Sequence, residues 1–81
     1  MTTVSVRLFA ALRDLAGDAR VQASGETVGE VLEDLCGRFG ERFAKVALAG
    51  SVVVDGQRAA RDRPLDGGEE VALLPPVSGG D

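Results

Sequence analysis

Two segments near opposite ends of the chain alternate between apolar and polar side chains. Val4, Val6 and Leu8 alternate with polar residues near the start, and Val71 and Leu73 do the same near the end. A period of two with β-branched residues is typical of strands that bury one face. Because these two segments have the clearest alternation, we predict that they lie side by side in the centre of one sheet.

Three shorter segments predict the other strands. Val21 and Ala23 alternate with polar neighbours, and the apolar run at residues 51–54 is followed by Asp55 and Gly56. An Asp-Gly pair between two such runs favours a two-residue hairpin. The predicted strands cover about residues 3–9, 20–23, 51–54, 57–60 and 69–74.

One long segment has a helical period instead. Thr27 is a good N-cap, and Glu30 three residues later completes the pattern of a capping box. Gly40 suits the end of the helix. The apolar residues that share one helical face are Val28, Val31, Leu32, Leu35, Cys36 and Phe39. We predict that this helix covers one face of the sheet and leaves Ala72 and Leu74 on the other.

The remaining segments connect these elements. Residues 10–17 predict one or two helical turns, residues 61–68 predict a loop, and residues 41–50 fit either a short helix or an irregular crossover. The whole pattern predicts an α+β domain over residues 1–76, with a mixed sheet of four to five strands covered by one main helix. We expect a flexible C-terminal Gly-Gly tail over residues 77–81.

Composition narrows the classes of function. The chain has 81 residues and a net charge of −4, and its arginines are scattered among acidic residues. This pattern argues against a nucleic-acid interface. It fits either a solvated acidic surface or a surface that binds a basic partner. No histidine is present and Cys36 is the only cysteine, so we expect no bound metal or cofactor and no internal disulfide. We expect Cys36 to pack on the helix rather than react. The lack of an internal disulfide fits a protein of the reducing cytoplasm. The first residues predict no signal peptide or membrane span.

The chemistry is expected at the end of the chain. Pro75 and Pro76 lack N–H donors, so they end the last strand and stiffen the start of the tail. Glycines without Cβ atoms can enter a narrow channel, and we predict that the backbone carboxyl group of Gly80 is the reactive group. A merely frayed terminus is the alternative. The residues predicted to dock a partner or insert with the tail are Ala72, Leu74, Pro75, Pro76, Val77, Ser78 and Gly79.

An apolar patch is predicted beside this tail. Ala72 and Leu74, together with Val77, would form an exposed docking surface on the face that the main helix does not cover. The alternative is that residues 41–50 cover them.

Residues 4–13 and 65–80, together with the capped helix, resemble the MoaD/ThiS family of sulfur carriers. The most specific part is the run Glu-Val-Ala-Leu-Leu-Pro-Pro-Val-Ser-Gly-Gly at residues 70–80. The resemblance implies a ubiquitin-like β-grasp fold and a role closest to the small subunit of molybdopterin synthase. It also implies a carrier or co-substrate rather than an enzyme.

The resemblance implies partners as well. In this family a ubiquitin-activating-like adenylyltransferase uses ATP to adenylate the C-terminal glycine, which corresponds to Gly80, and sulfur then converts it to a thiocarboxylate. The large subunit of molybdopterin synthase uses that sulfur to build the dithiolene of molybdopterin. Alternatives are a sulfur carrier for thiamine, cysteine or secondary-metabolite synthesis, and a ubiquitin-like modifier that joins Gly80 to lysines.

Asp81 departs from the pattern, because the usual family member ends at the second glycine. We expect a metalloprotease to remove Asp81 and release the Gly80 carboxyl group. Tolerance of Asp81, a wrongly assigned stop codon and loss of function are the other readings of this residue.

Overall fold

The computed structural model describes residues 2–76, which form five strands and three helices. The strands are β1 (Thr3–Leu8), β2 (Arg20–Ser24), β3 (Ser51–Val54), β4 (Gln57–Arg58) and β5 (Glu70–Leu74). The helices are α1 (Ala10–Ala16), α2 (Val28–Phe39) and α3 (Glu41–Ala49).

The five strands form one mixed sheet in the order β2-β1-β5-β3-β4. β1 and β5 are parallel neighbours, with Val6 opposite Val71 and Leu8 opposite Leu73, and every other pair is antiparallel. This pairing confirms that the first and last strands lie side by side. It also makes β5 the central strand, so the chain leaves the sheet at its middle.

Helix α2 begins where its capping pattern predicts. The backbone N–H of Glu30 donates to Thr27 Oγ1 at 3.2 Å. The Glu30 carboxylate accepts from the N–H of Glu26, one residue before the cap, rather than from Thr27 itself. Both bonds occupy N–H groups near the start of the helix that would otherwise lack partners.

Of residues 41–50, the first nine form helix α3, so the short-helix interpretation of this segment is confirmed. Gly40, with φ 95°, joins α2 directly to α3 in an extended conformation of positive φ that suits glycine. Phe43 and Ala47 lie one turn apart and are buried. They belong to the same core as Leu35 of α2, so the shorter α3 helps the main helix α2 to cover the sheet.

Three strands are shorter than predicted: β1 ends one residue early, β4 ends two residues early and β5 begins one residue late. Hydrogen bonds accompany the changes in β4 and β5. After Arg58 the chain turns towards α2, where the N–H of Gly29 donates to the carbonyl oxygen of Arg61 at 2.8 Å. β5 begins at Glu70 because the carboxylate of Glu69 folds back to accept from Asp66 and Gly67. Asp55 and Gly56 both have positive φ, as the predicted two-residue hairpin requires.

Candidate functional site

The base of the tail is held on both sides of β5. Leu74, the last residue of that strand, lies opposite Ser51 of β3, and Leu73 lies opposite Leu8 of β1. Gly50 packs directly against the carbonyl group of Leu74, with no room for a side chain between them. Pro75 and Pro76 follow at once and cannot extend the ladder. The point at which the tail starts is therefore fixed by the centre of the sheet.

Ala72 and Leu74 lie on the face of β5 that points away from the helices. Along this strand, buried Val71 and Leu73 alternate with half-buried Ala72 and Leu74. α3 buries its own apolar face in the core that contains Val71 and Leu73. The helices thus lie on one side of the sheet, and we call the other side, around Ala72 and Leu74, the open face.

A small cluster of charges lies next to Ala72 on the open face. The Glu70 carboxylate is 3.4 Å from Arg20 and 3.7 Å from Arg7, and the Arg7 guanidinium lies over the ring of Phe9. Both arginines and Glu70 are about half exposed, so these ion pairs contribute little to stability. Their effect is to place polar groups beside Ala72, because Arg7 of β1 lies directly opposite Ala72 of β5. Sequence reasoning missed this cluster, because its members come from three strands.

Within residues 2–76, Glu69 and Cys36 have shifted pKa values. Two backbone N–H groups, from Asp66 and Gly67, donate to the Glu69 carboxylate and hold the pKa of Glu69 below its ordinary value. Burial raises the pKa of the Cys36 thiol, with Arg61 lowering it and Glu33 raising it to smaller extents. Cys36 is partly buried against the core, as predicted from its place on α2. Neither group lies in β5 or at the base of the tail.

The structure brings together only part of the predicted site. Ala72 and Leu74 share the open face, Pro75 is half-buried and Pro76 is exposed. Val77, Ser78, Gly79, Gly80 and Asp81 lie outside the described residues. Within residues 2–76, acidic and cysteine side chains form no group that could hold a metal ion. In that same part of the chain, no helix is long and apolar enough to cross a membrane.

Comparison with known proteins matches this architecture. The sequence profile of the ThiS family matches residues 6–80. Small archaeal modifier protein 1 of Haloferax volcanii is 35% identical over 88 residues, which cover 91% of this chain and 97% of that protein. The crystal structure of that modifier superposes with a TM-score of 0.77 at 31% identity, covering 96% of this chain and 99% of its own.

Two further solved structures have the same fold. The putative molybdopterin converting factor subunit 1 from Pyrococcus furiosus has a TM-score of 0.82 at 26% identity, over 95% of this chain and 100% of its own. A chain of the Amycolatopsis orientalis BexX/CysO complex has a TM-score of 0.78 at 25% identity, over 95% of this chain and 99% of its own. The chain therefore belongs to the ThiS family of sulfur carriers and ubiquitin-like modifiers, which are small β-grasp carrier proteins rather than catalytic enzymes.

Proposed function

We propose that the protein is a sulfur carrier whose Gly80 carboxyl group is adenylated and then converted to a thiocarboxylate. The observation that carries this proposal is the position of the tail, which leaves the central strand immediately after Leu74. A terminus that follows a strand paired on both sides starts from a fixed point. The fixed start, together with Pro75 and Pro76, lowers the conformational entropy that is lost when a partner enzyme captures the tail.

The chemistry needs an activating enzyme, because a carboxylate is a poor electrophile. In the proposed reaction, a Gly80 carboxylate oxygen attacks the α-phosphorus of ATP and pyrophosphate leaves. A sulfide equivalent from a donor then displaces AMP, so a carbon–sulfur bond replaces the carbon–oxygen bond to AMP. The carrier supplies no catalytic side chain, and its ATP is bound by the activating enzyme.

The open face is the proposed docking surface for that enzyme and for a sulfur-accepting partner. Ala72 and Leu74 offer apolar area directly beside the start of the tail, and Arg7, Arg20 and Glu70 supply polar contacts around it. Interfaces of this kind combine an apolar centre with a polar rim. The BexX/CysO structure is a complex of a relative with another protein. It supports the idea that such carriers act while bound to a partner protein.

The proposed acceptor is the large subunit of a molybdopterin synthase, as suggested by the Pyrococcus relative named a putative converting factor subunit. The test is reconstitution from purified parts. Thiocarboxylated carrier is mixed with the host's large subunit and the molybdopterin precursor, and the carrier mass and dithiolene product are followed together. Sulfur should leave the carrier as dithiolene forms. Transfer to a thiamine or cysteine precursor, with none to molybdopterin, would reassign the pathway.

A protein-modifier role is the second candidate, because the Haloferax relative is named a modifier protein. In that role Gly80 would form an isopeptide bond with lysines of target proteins. Immunoblots of host cells that express tagged carrier distinguish the two roles. Heavier, reductant-resistant bands that vanish in a Gly80-deleted variant support modification, whereas a single carrier band together with thiocarboxylate supports sulfur transport.

Asp81 must be removed in this scheme, and we propose a host metalloprotease for that step. Mass spectrometry of protein isolated from the native host tests it. Chains that end at Gly80 are expected among active molecules. Active protein composed only of chains that retain Asp81 would contradict removal.

A further inference from the structure

The open face extends beyond Ala72 and Leu74 to the opposite edge of the sheet. Val53 of β3 lies opposite Ala72, and Arg58 of β4 lies opposite Val53. Residues that are directly opposite each other in a sheet share a face, so Val53 and Arg58 belong to the open face. Val53 is half-buried, as Ala72 and Leu74 are, whereas Arg58 is exposed. We call Val53, Ala72 and Leu74 the apolar strip.

Arginines border the apolar strip on both sides. Arg7 lies opposite Ala72 on one side, and Arg20 of β2 lies opposite Arg7. With Arg58 on the other side, these residues belong to one row across the five strands. Neighbouring strands lie about 4.8 Å apart, so three strand spacings separate Arg7 from Arg58 by about 14 Å. That width is sufficient for an apolar side chain of a partner protein to pack between the two arginines.

The two sides of the strip differ in what their arginines contact. The Glu70 carboxylate forms ion pairs with both Arg7 and Arg20. Asp55 Oδ1 accepts from the N–H of Glu70, which adds a second acid at the end of the face away from the tail. Within residues 2–76, no carboxylate forms an ion pair with Arg58. The charge of Arg58 is therefore the one that its neighbours on the open face do not balance.

A hydrogen bond holds Arg58 beside the start of the tail. Its guanidinium donates to Ser51 Oγ at 3.0 Å, and Ser51 lies directly opposite Leu74. A guanidinium has five N–H donors in a planar fork, so this bond leaves enough of them to bind both oxygens of a carboxylate. An oriented and unbalanced cation thus lies next to the last strand residue before Pro75.

We propose that the activating enzyme docks on the open face with an aspartate or glutamate carboxylate paired with Arg58 and an apolar side chain packed on the apolar strip. This inference rests on the proposed activation of Gly80. It concerns the activating enzyme because the sulfur-carrier role and the modifier role both require that enzyme. A charge pair of this kind fixes the register of the two proteins and hence the direction in which the tail enters the enzyme.

Zero-length cross-linking tests the contact itself. Lys45 is the only lysine of the chain, so the variant Arg58→Lys/Lys45→Arg has its one side-chain amine at the proposed contact. A carbodiimide joins an amine to a carboxylate only where the two touch. With the host's activating enzyme, peptide mass spectrometry should find residue 58 joined to an aspartate or glutamate of the enzyme. Arg61→Lys/Lys45→Arg should give no such product, because Arg61 lines a cavity beside α2 and α3.

Charge reversal measures the effect on affinity. In calorimetry with the activating enzyme, Arg58→Glu should weaken binding about tenfold or more, because an attractive contact becomes repulsive. Arg61→Glu changes the net charge equally and should stay within about twofold. Raising the salt concentration should weaken binding of the wild type more than binding of Arg58→Gln, which lacks the charge. Circular dichroism checks that each variant is folded.

The results separate this inference from the proposed function. If Arg58→Glu and Arg61→Glu form thiocarboxylate on Gly80 equally well at limiting enzyme, or both lysine variants cross-link equally, the docking inference is overturned and the sulfur-carrier role stands. Binding that Arg58→Glu abolishes, with no thiocarboxylate on wild-type chains ending at Gly80, would support the docking inference and contradict the sulfur-carrier role. A wild-type dimer that Arg58→Glu dissociates, with no binding to the enzyme, would overturn the inference and assign the face to a second copy of the chain.

Discussion

Replacing Gly50 with alanine tests how the base of the tail is held. Gly50 has φ −92°, a conformation open to any residue, so the substitution meets no backbone strain of its own. The obstacle is space. An added Cβ would overlap the carbonyl oxygen of Leu74 and lie 3.0 Å from its carbonyl carbon and 3.1 Å from that of Pro75. These are backbone atoms, which cannot rotate aside as the end of a side chain can.

The size of the effect follows from this overlap. Extra methyl groups in well-packed regions destabilise by about 1–3 kcal/mol. In a domain of this size each kcal/mol lowers Tm by about 4–8 °C. Gly37→Ala provides the control, because Gly37 lies inside α2 with no atom within 4 Å of an added Cβ. Alanine favours helix over glycine by about 1 kcal/mol, so that variant should be more stable than the wild type.

Thermal and urea denaturation followed by circular dichroism measure both changes. We expect the glycine-to-alanine substitution to lower the Tm at Gly50 and to raise it at Gly37. If Gly50→Ala melts at the wild-type temperature or above it, the close packing of Gly50 against Leu74 does not hold the base of the tail, and the reasoning fails.

Three other substitutions test separate parts of the structure. Thr27→Ala should reduce the free energy of unfolding by about 1 kcal/mol through loss of the α2 cap, whereas Thr27→Ser should be nearly neutral in urea melts. Leu74→Glu should weaken binding of the sulfur-accepting partner in calorimetry while the melting curve stays close to wild type, and unchanged affinity would count against docking at the open face. The pKa of Glu69 is lowered from 4.5 by backbone N–H donors, so its contribution to stability is fully present above pH 4.5 and is lost as pH falls through the lower folded pKa. Glu69→Gln should therefore flatten the acid side of the stability profile, and an unchanged slope would refute this assignment.

Much of the fold could be predicted because its signals are local. The alternation around Val6 and Val71 identifies the two central strands, and Thr27 with Glu30 marks the start of α2. α3 could not be assigned in the same way. Its anchors Phe43 and Ala47 acquire their meaning only when they pack against α2, and a nine-residue helix is too short to be stable alone.

The candidate site, too, was predictable only where its signals are local. Pro75, Pro76, Gly79 and Gly80 are visible in the sequence, so their chemistry could be argued from it. The Arg20–Glu70 contact joins residues 50 positions apart, and the packing of Gly50 on Leu74 depends on the register of β3 with β5. Register between distant strands is set by the whole core and is not readable from either strand alone.

The central claim is that Gly80 carries sulfur, and intact mass spectrometry tests it most directly. The chain ending at Gly80 and the chain retaining Asp81 are each incubated with the host's activating enzyme, ATP and a sulfur donor. Only the chain ending at Gly80 should gain the mass difference between one sulfur and one oxygen atom, and a Cys36→Ser variant should behave identically. A gain of a whole sulfur atom that disappears in Cys36→Ser would place the sulfur on the thiol instead. No exchange on the chain ending at Gly80 would contradict the account.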